Sequence, residues 1–168
     1  FDSVGSTNDI ALSKARQGCG EGLVVIAEEQ VSGRGRLGRK WVTPKYASIA
    51  FSVVVRPAIE PERTPGITLV MGLAVCRAIE KLTELAPGIK WPNDIVVNRK
   101  KACGILTQMV SGDVGKRSII IGTGINVNVP QFPEKLKNTA TSLSIESGHT
   151  VSRKELLDRI LFEFEELY

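Results

Sequence analysis

The sequence predicts an α+β fold, a mixed and mostly antiparallel sheet backed by helices, and three observations carry that expectation. Short apolar runs rich in β-branched residues recur along the chain, at residues 23–27, 47–56, 95–97, 104–110 and 118–121. Most of them are joined by hairpin turns. The helical patterns are set apart from these runs instead of alternating with them.

Each element can be justified in order. Ser6 and Thr7 precede Asn8-Asp9-Ile10-Ala11-Leu12-Ser13-Lys14-Ala15, with Gly18 just beyond, and this reads as a capped helix with a glycine stop. Residues 23–27 form a strand, and residues 47–56 (ASIAFSVVVR) a second, longer one. Thr64-Pro65 looks like an N-cap followed by proline in the first turn. Residues 67–82 then read as a central helix packed on the sheet, apolar on nearly all sides until Arg77, Glu80 and Lys81. Lys90-Trp91-Pro92-Asn93-Asp94 is a strand end running into a turn. Residues 95–97, a basic turn at Arg99-Lys100-Lys101 and residues 104–110 make a hairpin. A turn at residues 111–115 leads to a strand at 118–121, which Gly122-Thr123-Gly124 brings to an end. Finally, Ser152-x-x-Glu155 is a capping box, and Leu156, Leu157, Ile160, Leu161, Phe164 and Leu167 follow at helical spacing.

At 168 residues the chain reads as one domain, 1–168, long enough to bury about 70% of its unfolded surface. The net charge of +4 fits phosphate-bearing ligands but is too small to argue for nucleic acid. Three widely spaced cysteines, Cys19, Cys76 and Cys103, give neither a disulfide framework nor a metal-finger pattern. His149 is the one histidine, so neither a histidine metal site nor a Ser-His-Asp triad has much to build on; no metal ligand is assigned. No run approaches a membrane span and no signal peptide is visible, so a cytoplasmic location is expected. The start at Phe1 suggests a piece of something longer.

The most informative segment is Gly33-Arg34-Gly35-Arg36-Leu37-Gly38-Arg39-Lys40-Trp41, with three glycines, four cations and a tryptophan in nine residues. Glycines let a backbone approach a ligand closely at an entropic cost, and crowded cations repel until an anion arrives. The expectation is a loop that is mobile when empty and closes over something negatively charged. Gly33-x-Gly35-x-x-Gly38 also matches the dinucleotide fingerprint, but that motif needs a helix starting within the glycines. Here Trp41-Val42-Thr43-Pro44 follows, which opposes a helix, and no Gly-Lys-Ser/Thr occurs for a Walker loop. A nonspecific nucleic-acid loop would need stacking platforms, and only Trp41 is near.

Other constellations are weaker alone. Lys90-Trp91-Pro92-Asn93-Asp94 surrounds one turn with a cation, an aromatic and two polar side chains, although Pro-Asn-Asp is also plain turn chemistry. Lys101 ends a turn, and Gly104 sits in a strand where glycine often marks close approach of a ligand. Gly122 and Gly124 mark another such place, or a structural bulge.

Together these segments resemble the catalytic domain of the biotin protein ligases. The resemblance rests on Asp2-Ser3-Val4-Gly5-Ser6-Thr7-Asn8, residues 29–41, Lys90-Trp91-Pro92-Asn93-Asp94, Lys101-Ala102-Cys103-Gly104-Ile105-Leu106 and Gly122-Thr123-Gly124-Ile125-Asn126. It implies the biotin–lipoyl ligase catalytic fold, similar to class II aminoacyl-tRNA synthetases. It implies two reactions: biotin and MgATP give biotinyl-5′-AMP, and the acyl group passes to a lysine of the biotin carboxyl carrier domain of a biotin-dependent carboxylase. By resemblance, Lys101 and Arg36 are the catalytic pair. Ser6, Thr7, Asn8, Gln30, Gly33, Arg34, Arg36, Lys101 and Gly104 serve biotin. Arg36, Arg39, Trp41, Lys90, Asn93 and Asn126 serve ATP, with Asp94 and Gly122 in support and Mg2+ arriving with ATP. Relatives carry a C-terminal β-barrel and some an N-terminal DNA-binding domain, neither seen here. A homodimer is compatible with the sheet's edge strands. The competing readings are a lipoate or octanoate ligase, whose Arg-x-Ser-Gly-Gly-Gly pattern is absent here, and a non-catalytic biotin-sensing corepressor module.

Overall fold

A computed structural model describes residues 1–60, 62, 64–111 and 117–168. The expected turn at residues 111–115 falls largely outside them. The chain runs β1 (Ser3–Val4), α1 (Thr7–Arg16), β2 (Val24–Ala27), β3 (Glu29–Gln30), β4 (Ser48–Val55), α2 (Thr64–Leu82), β5 (Gly88–Lys90), β6 (Asp94–Val97), β7 (Lys100–Ser111), β8 (Arg117–Asn126), α3 (Leu143–Ser147) and α4 (Arg153–Leu167). Short 3-10 turns at Arg36–Gly38 and Glu134–Leu136 complete it.

Six strands form one antiparallel sheet in the order β2-β4-β8-β7-β6-β5. A separate parallel ribbon pairs β1 with β3, Ser3 opposite Glu29 and Val4 opposite Gln30. The sheet has helices on both faces, which is why β4 is buried along its whole length and lacks a polar–apolar alternation. On one face Ile49, Phe51, Val53 and Val55 of β4 join Ile119, Ile121 and Ile125 of β8 under α2 and α4. On the other, Val54 and Ile120 pack against Ala11 and Ala15 of α1.

Several sequence expectations shift in ways the packing explains. Ser6 is the N-cap of α1, but its side chain makes no capping bond. The helix stop holds: Gly18 takes φ +80°, and the Gly18 N–H donates to Ala15 O. The hairpin turn is Asn98-Arg99, both in the left-handed region at φ 47° and 67°, so Lys100 and Lys101 lie inside β7 and not in a turn. β8 does not end at its glycines but continues to Asn126, because both neighbours stay paired: Gly122 opposes Ser52 and Leu106, and Gly124 opposes Ala50 and Gly104. Ser152 caps α4 as expected, its Oγ accepting from the Glu155 N–H at 3.3 Å.

Candidate functional site

The site grows from a strip of missing side chains. On the α1 face of the sheet, neighbouring strands present Ala50 and Ser52, then Gly122 and Gly124, then Gly104. A Cβ on Gly122 would collide with the Asn8 amide, and one on Gly124 with the Trp41 indole. A Cβ on Gly104 would come within 3.0 Å of Lys101 Nζ. These glycines therefore make a floor on which functional side chains lie directly against backbone. Above it is a cleft that opens to solvent, with about 440 Å³ of unfilled space when the solvent at its open side is included.

The N-terminus of α1 forms one wall. Because Ser6 and Thr7 do not cap the helix, their hydroxyls are free for other partners. The Thr7 N–H and hydroxyl both donate to Gln30 Oε1, at 2.9 and 3.0 Å, while Gln30 Nε2 donates to Thr43 Oγ1 at 3.2 Å. Asn8 Nδ2 donates to Gln108 Oε1 at 2.8 Å, and the buried Ser52 hydroxyl lies 2.6 Å from Asn8 Oδ1 and 2.8 Å from Thr7 Oγ1. Thr7, Asn8, Gln30 and Ser52 are each held by at least one other of these side chains, so this part of the wall is set before any ligand arrives.

Lys101 enters from the opposite wall, and a β-bulge aims it. Ile95 of β6 opposes Cys103 while Val96 opposes Lys101, which leaves Ala102 as the extra residue. Ala102 and Cys103 are consequently both buried in the core under α2 and α4, and Lys101 comes onto the face of Gly104. Its backbone is clamped as well: Lys101 N–H donates to Thr139 O at 2.8 Å, and Thr141 N–H to Lys101 O at 2.9 Å. Lys101 Nζ lies 2.7 Å from Asp94 Oδ1 and 5.4 Å from the centre of the Trp41 ring. The Asp94 contact is a close ion pair off the hydrogen-bonding direction, since among the described residues no donor is aimed at that oxygen.

The glycine-arginine loop folds over the cleft. Gly35 N–H donates to Arg39 O at 2.7 Å and Trp41 N–H to Gly33 O at 2.9 Å, so the loop closes on itself as a narrow hairpin. Its tip holds Leu37 at φ 57° with the side chain 88% exposed, an uncommon backbone for leucine, followed by Gly38 at φ 71°. Arg34 reaches Asp9 of α1, and Arg36 donates to Asn93 Oδ1 at 3.2 Å. Asn93 is fixed in turn, its Nδ2 donating to Ile105 O at 2.9 Å. Trp41 lies over Gly104 and Gly124, and among the described residues no acceptor meets its indole Nε1.

Of the residues singled out by sequence, Ser6, Thr7, Asn8, Gln30, Arg34, Arg36, Trp41, Asn93, Lys101, Gly104 and Gly122 line the cleft. Gly33 is buried just behind it, where a Cβ would press on Trp41 O and the Gln30 side chain. Asp94 touches the cleft through Lys101 alone. Lys90 shares the face of Asp94 but stands at the sheet edge in solvent, and Arg39 is exposed beyond the loop tip. Asn126 is turned aside, its Nδ2 donating to Thr141 O at 3.1 Å, which ties it to the strap that clamps Lys101. Sequence reading missed Ser52, Gln108 and Thr43 as supports. A serine within the apolar run of β4 and a glutamine within β7 were the available signals.

Against known proteins, residues 1–126 match the model of the biotin/lipoate A/B protein ligase family. The chain is 42% identical to the bifunctional ligase/repressor BirA of Bacillus spizizenii, over 99% of this chain and 52% of the relative. It is 37% identical to the biotin–[acetyl-CoA-carboxylase] ligase of Mycobacterium tuberculosis, over 96% of this chain and 60% of that protein. It thus spans about half the length of the curated relatives it matches. Among solved structures it is similar to the biotin protein ligase of Aquifex aeolicus in complex with biotin and ATP, with a TM-score of 0.84, 34% identity, and coverage of 99% of this chain and 68% of that one. The Leishmania major biotin protein ligase in complex with biotinyl-5-AMP aligns at a TM-score of 0.81 and 29% identity, over 99% of this chain and 72% of that one. With the match running through the α1 wall, the glycine-arginine loop, Lys101 and the glycine floor, the chain belongs to the biotin/lipoate A/B protein ligase family.

Proposed function

We propose that this chain is the catalytic domain of a biotin protein ligase, making biotinyl-5′-AMP from biotin and MgATP and passing biotin to a lysine of a carrier domain. The observation that carries this reading is the convergence of Lys101, Arg34 and Arg36 over a floor of glycines. In the first step a biotin carboxylate oxygen attacks the α-phosphorus, the bond to the β-phosphate oxygen breaks, and pyrophosphate leaves. In the second the carrier amine attacks the acyl carbon, AMP leaves with the bonding pair, and the amine loses a proton.

Bringing the two anions to about 4 Å costs about 4 kcal/mol at an effective dielectric of 20, before any bond changes. Lys101, fixed by the bulge and the 139–141 strap, answers that cost from a preorganised position. Arg36 approaches from the loop on the Asn93 side. The flat ureido ring of biotin suits the hydrogen-bonding groups of Ser6, Thr7 and Gln30 on the α1 wall, while the Trp41 face and Asn93 suit the nucleotide side. Mg2+ arrives on the triphosphate; Asp94 and Asn93 are nearby oxygen donors, few enough for an ion that keeps most of its water. The closed loop excludes water from a mixed anhydride that hydrolyses readily.

Carrier docking by strand addition is supported by β5, an edge strand only three residues long in which Ile89 is exposed. The same edge serves a homodimer equally well. A cytoplasmic setting fits the three free cysteines, and no helix among the described residues is long and apolar enough to cross a membrane. Pyrophosphate exchange into ATP, driven in turn by biotin, lipoate and octanoate, tests the reading. Exchange with biotin alone is expected; exchange with lipoate or octanoate but not biotin overturns the substrate.

A further inference from the structure

The stem of the glycine-arginine loop and the start of α1 leave a common origin. β1 and β3 pair side by side, and the pairing continues past the ribbon: Val31 N–H donates to Val4 O and Ser32 N–H to Gly5 O, each at 2.9 Å. Beyond Gly5 and Ser32 the two chains fork, one into α1 and the other into the loop. On the stem, Thr7 and Gln30 are bonded across the gap. Beyond the fork, Asp9, in the first turn of α1, meets Arg34 in an ion pair with both side chains about half exposed. On the far side of the cleft, Arg36 is held by Asn93. The loop is thus tied across the cleft at two points, and Asp9 supplies the only carboxylate paired with a loop guanidinium among the described residues.

We infer that Asp9 is a positioning residue for the loop: its carboxylate holds Arg34 against the α1 wall and so keeps the loop folded over the cleft. Asp9 touches no reacting atom; it acts through Arg34. The inference concerns the closed loop whatever acid the cleft accepts, and only its effect on biotin rests on the function proposed above. Arg34 is also a lining residue of the cleft, so the pair to Asp9 positions one of the cations that face it. An exposed pair of this kind supports a shift in the open–closed balance of about two- to fivefold, and added salt should erase it.

The test is amide hydrogen exchange across residues 34–41 in the unliganded protein at low and at about 1 M salt. Asp9→Asn is expected to speed loop exchange about two- to fivefold at low salt, with no difference remaining at high salt. Exchange in β4 and β8 reports whether the fold is intact, and Asp9→Glu is expected to restore the parent's loop protection. Loop exchange unchanged by Asp9→Asn at low salt overturns the inference. So does a difference that persists undiminished in salt or is not rescued by glutamate, because the residue then acts on α1 itself. For the same variant, biotin-driven pyrophosphate exchange is expected to show KM raised about two- to fivefold with kcat nearly unchanged. Absence of any biotin-driven exchange in the parent would refute the proposed function and leave the loop measurement standing.

Discussion

The two faces of β8 are built from alternate residues of one strand and could hardly differ more. Ile119, Ile121 and Ile125 fill the core under α2 and α4, while Gly122, Gly124 and Asn126 leave the opposite face bare or polar. Toward its start, Ile120 still packs against α1. The bare part begins where Asn8 and Trp41 need the space. Stability is concentrated on one face, and on the other the strand gives up side chains so that Asn8 and Trp41 can rest on backbone. The same division runs through β7, where Cys103 and Ile105 face the core while Lys101 and Gly104 face the cleft.

This contrast can be broken most severely on the glycine side. Gly122→Val places atoms where the Asn8 side chain lies, and Asn8 cannot retreat without giving up Gln108 and Ser52. The expected result is loss of pyrophosphate exchange by at least about a hundredfold, with about 1–3 kcal/mol of stability lost to overpacking. On the core face, Ile121→Ala should do the reverse. A fully buried isoleucine truncated to alanine costs about 2–5 kcal/mol, seen in urea or thermal unfolding, while kcat per folded molecule changes less than about twofold. If Ile121→Ala lowered kcat as much as Gly122→Val, the division of labour between the faces would be wrong.

A smaller effect sharpens the comparison at the far end of the sheet, away from the cleft. Tyr168 donates to Glu21 Oε1 at 2.5 Å, and the Arg56 N–H donates to the same oxygen. The Tyr168 hydrogen bond, with help from that N–H, holds the Glu21 carboxyl below its ordinary 4.5. Burial first, and then the carboxylate, raise the Tyr168 phenol above its ordinary 10.0. A depressed carboxyl stabilises the fold above its unfolded pKa and loses that contribution as pH falls through the folded one. A raised phenol stabilises below its unfolded pKa and loses it as pH rises through the folded one. The stability difference between parent and Tyr168→Phe should therefore be flat from about pH 5 to 9, at no more than about 1 kcal/mol for so exposed a pair, and shrink on either side. Pyrophosphate exchange should be unchanged, since nothing in this cluster reaches the cleft.

Much of this arrangement was legible in the sequence because it is local. The α4 cap, the Gly18 stop and the apolar run of β4 each depend on residues a few positions apart, and all three stand. The glycine-arginine loop and the Trp-Pro-Asn-Asp turn were visible as segments with more chemistry than a turn requires. What was not legible depends on partners far along the chain. Lys101 read as the end of a turn because its phase is set by Ala102 having no partner across from Ile95 and Val96. Gly122 and Gly124 read as a strand end because the side chains that occupy their missing volume come from Asn8 and Trp41. The hydrogen bond by which the Asn126 amide reaches the strap around Lys101 through Thr141 is a relation between segments with no shared pattern. The ribbon of β1 and β3, two residues per strand, is too short to leave any periodicity.

The sharpest test compares adjacent lysines that the bulge treats differently. Lys101 lines the cleft, while Lys100, its chain neighbour, opposes Val97 beside the turn and is no part of the lining. Biotin-driven pyrophosphate exchange should be measured for Lys101→Ala and Lys100→Ala, with thermal unfolding as a check on both. Lys101→Ala is expected to lose about a hundred- to a thousandfold while remaining folded, and Lys100→Ala to stay within about twofold of the parent. Parent-like exchange in a folded Lys101→Ala protein, or an equal loss from both, would contradict the assignment of Lys101 to the reacting anions.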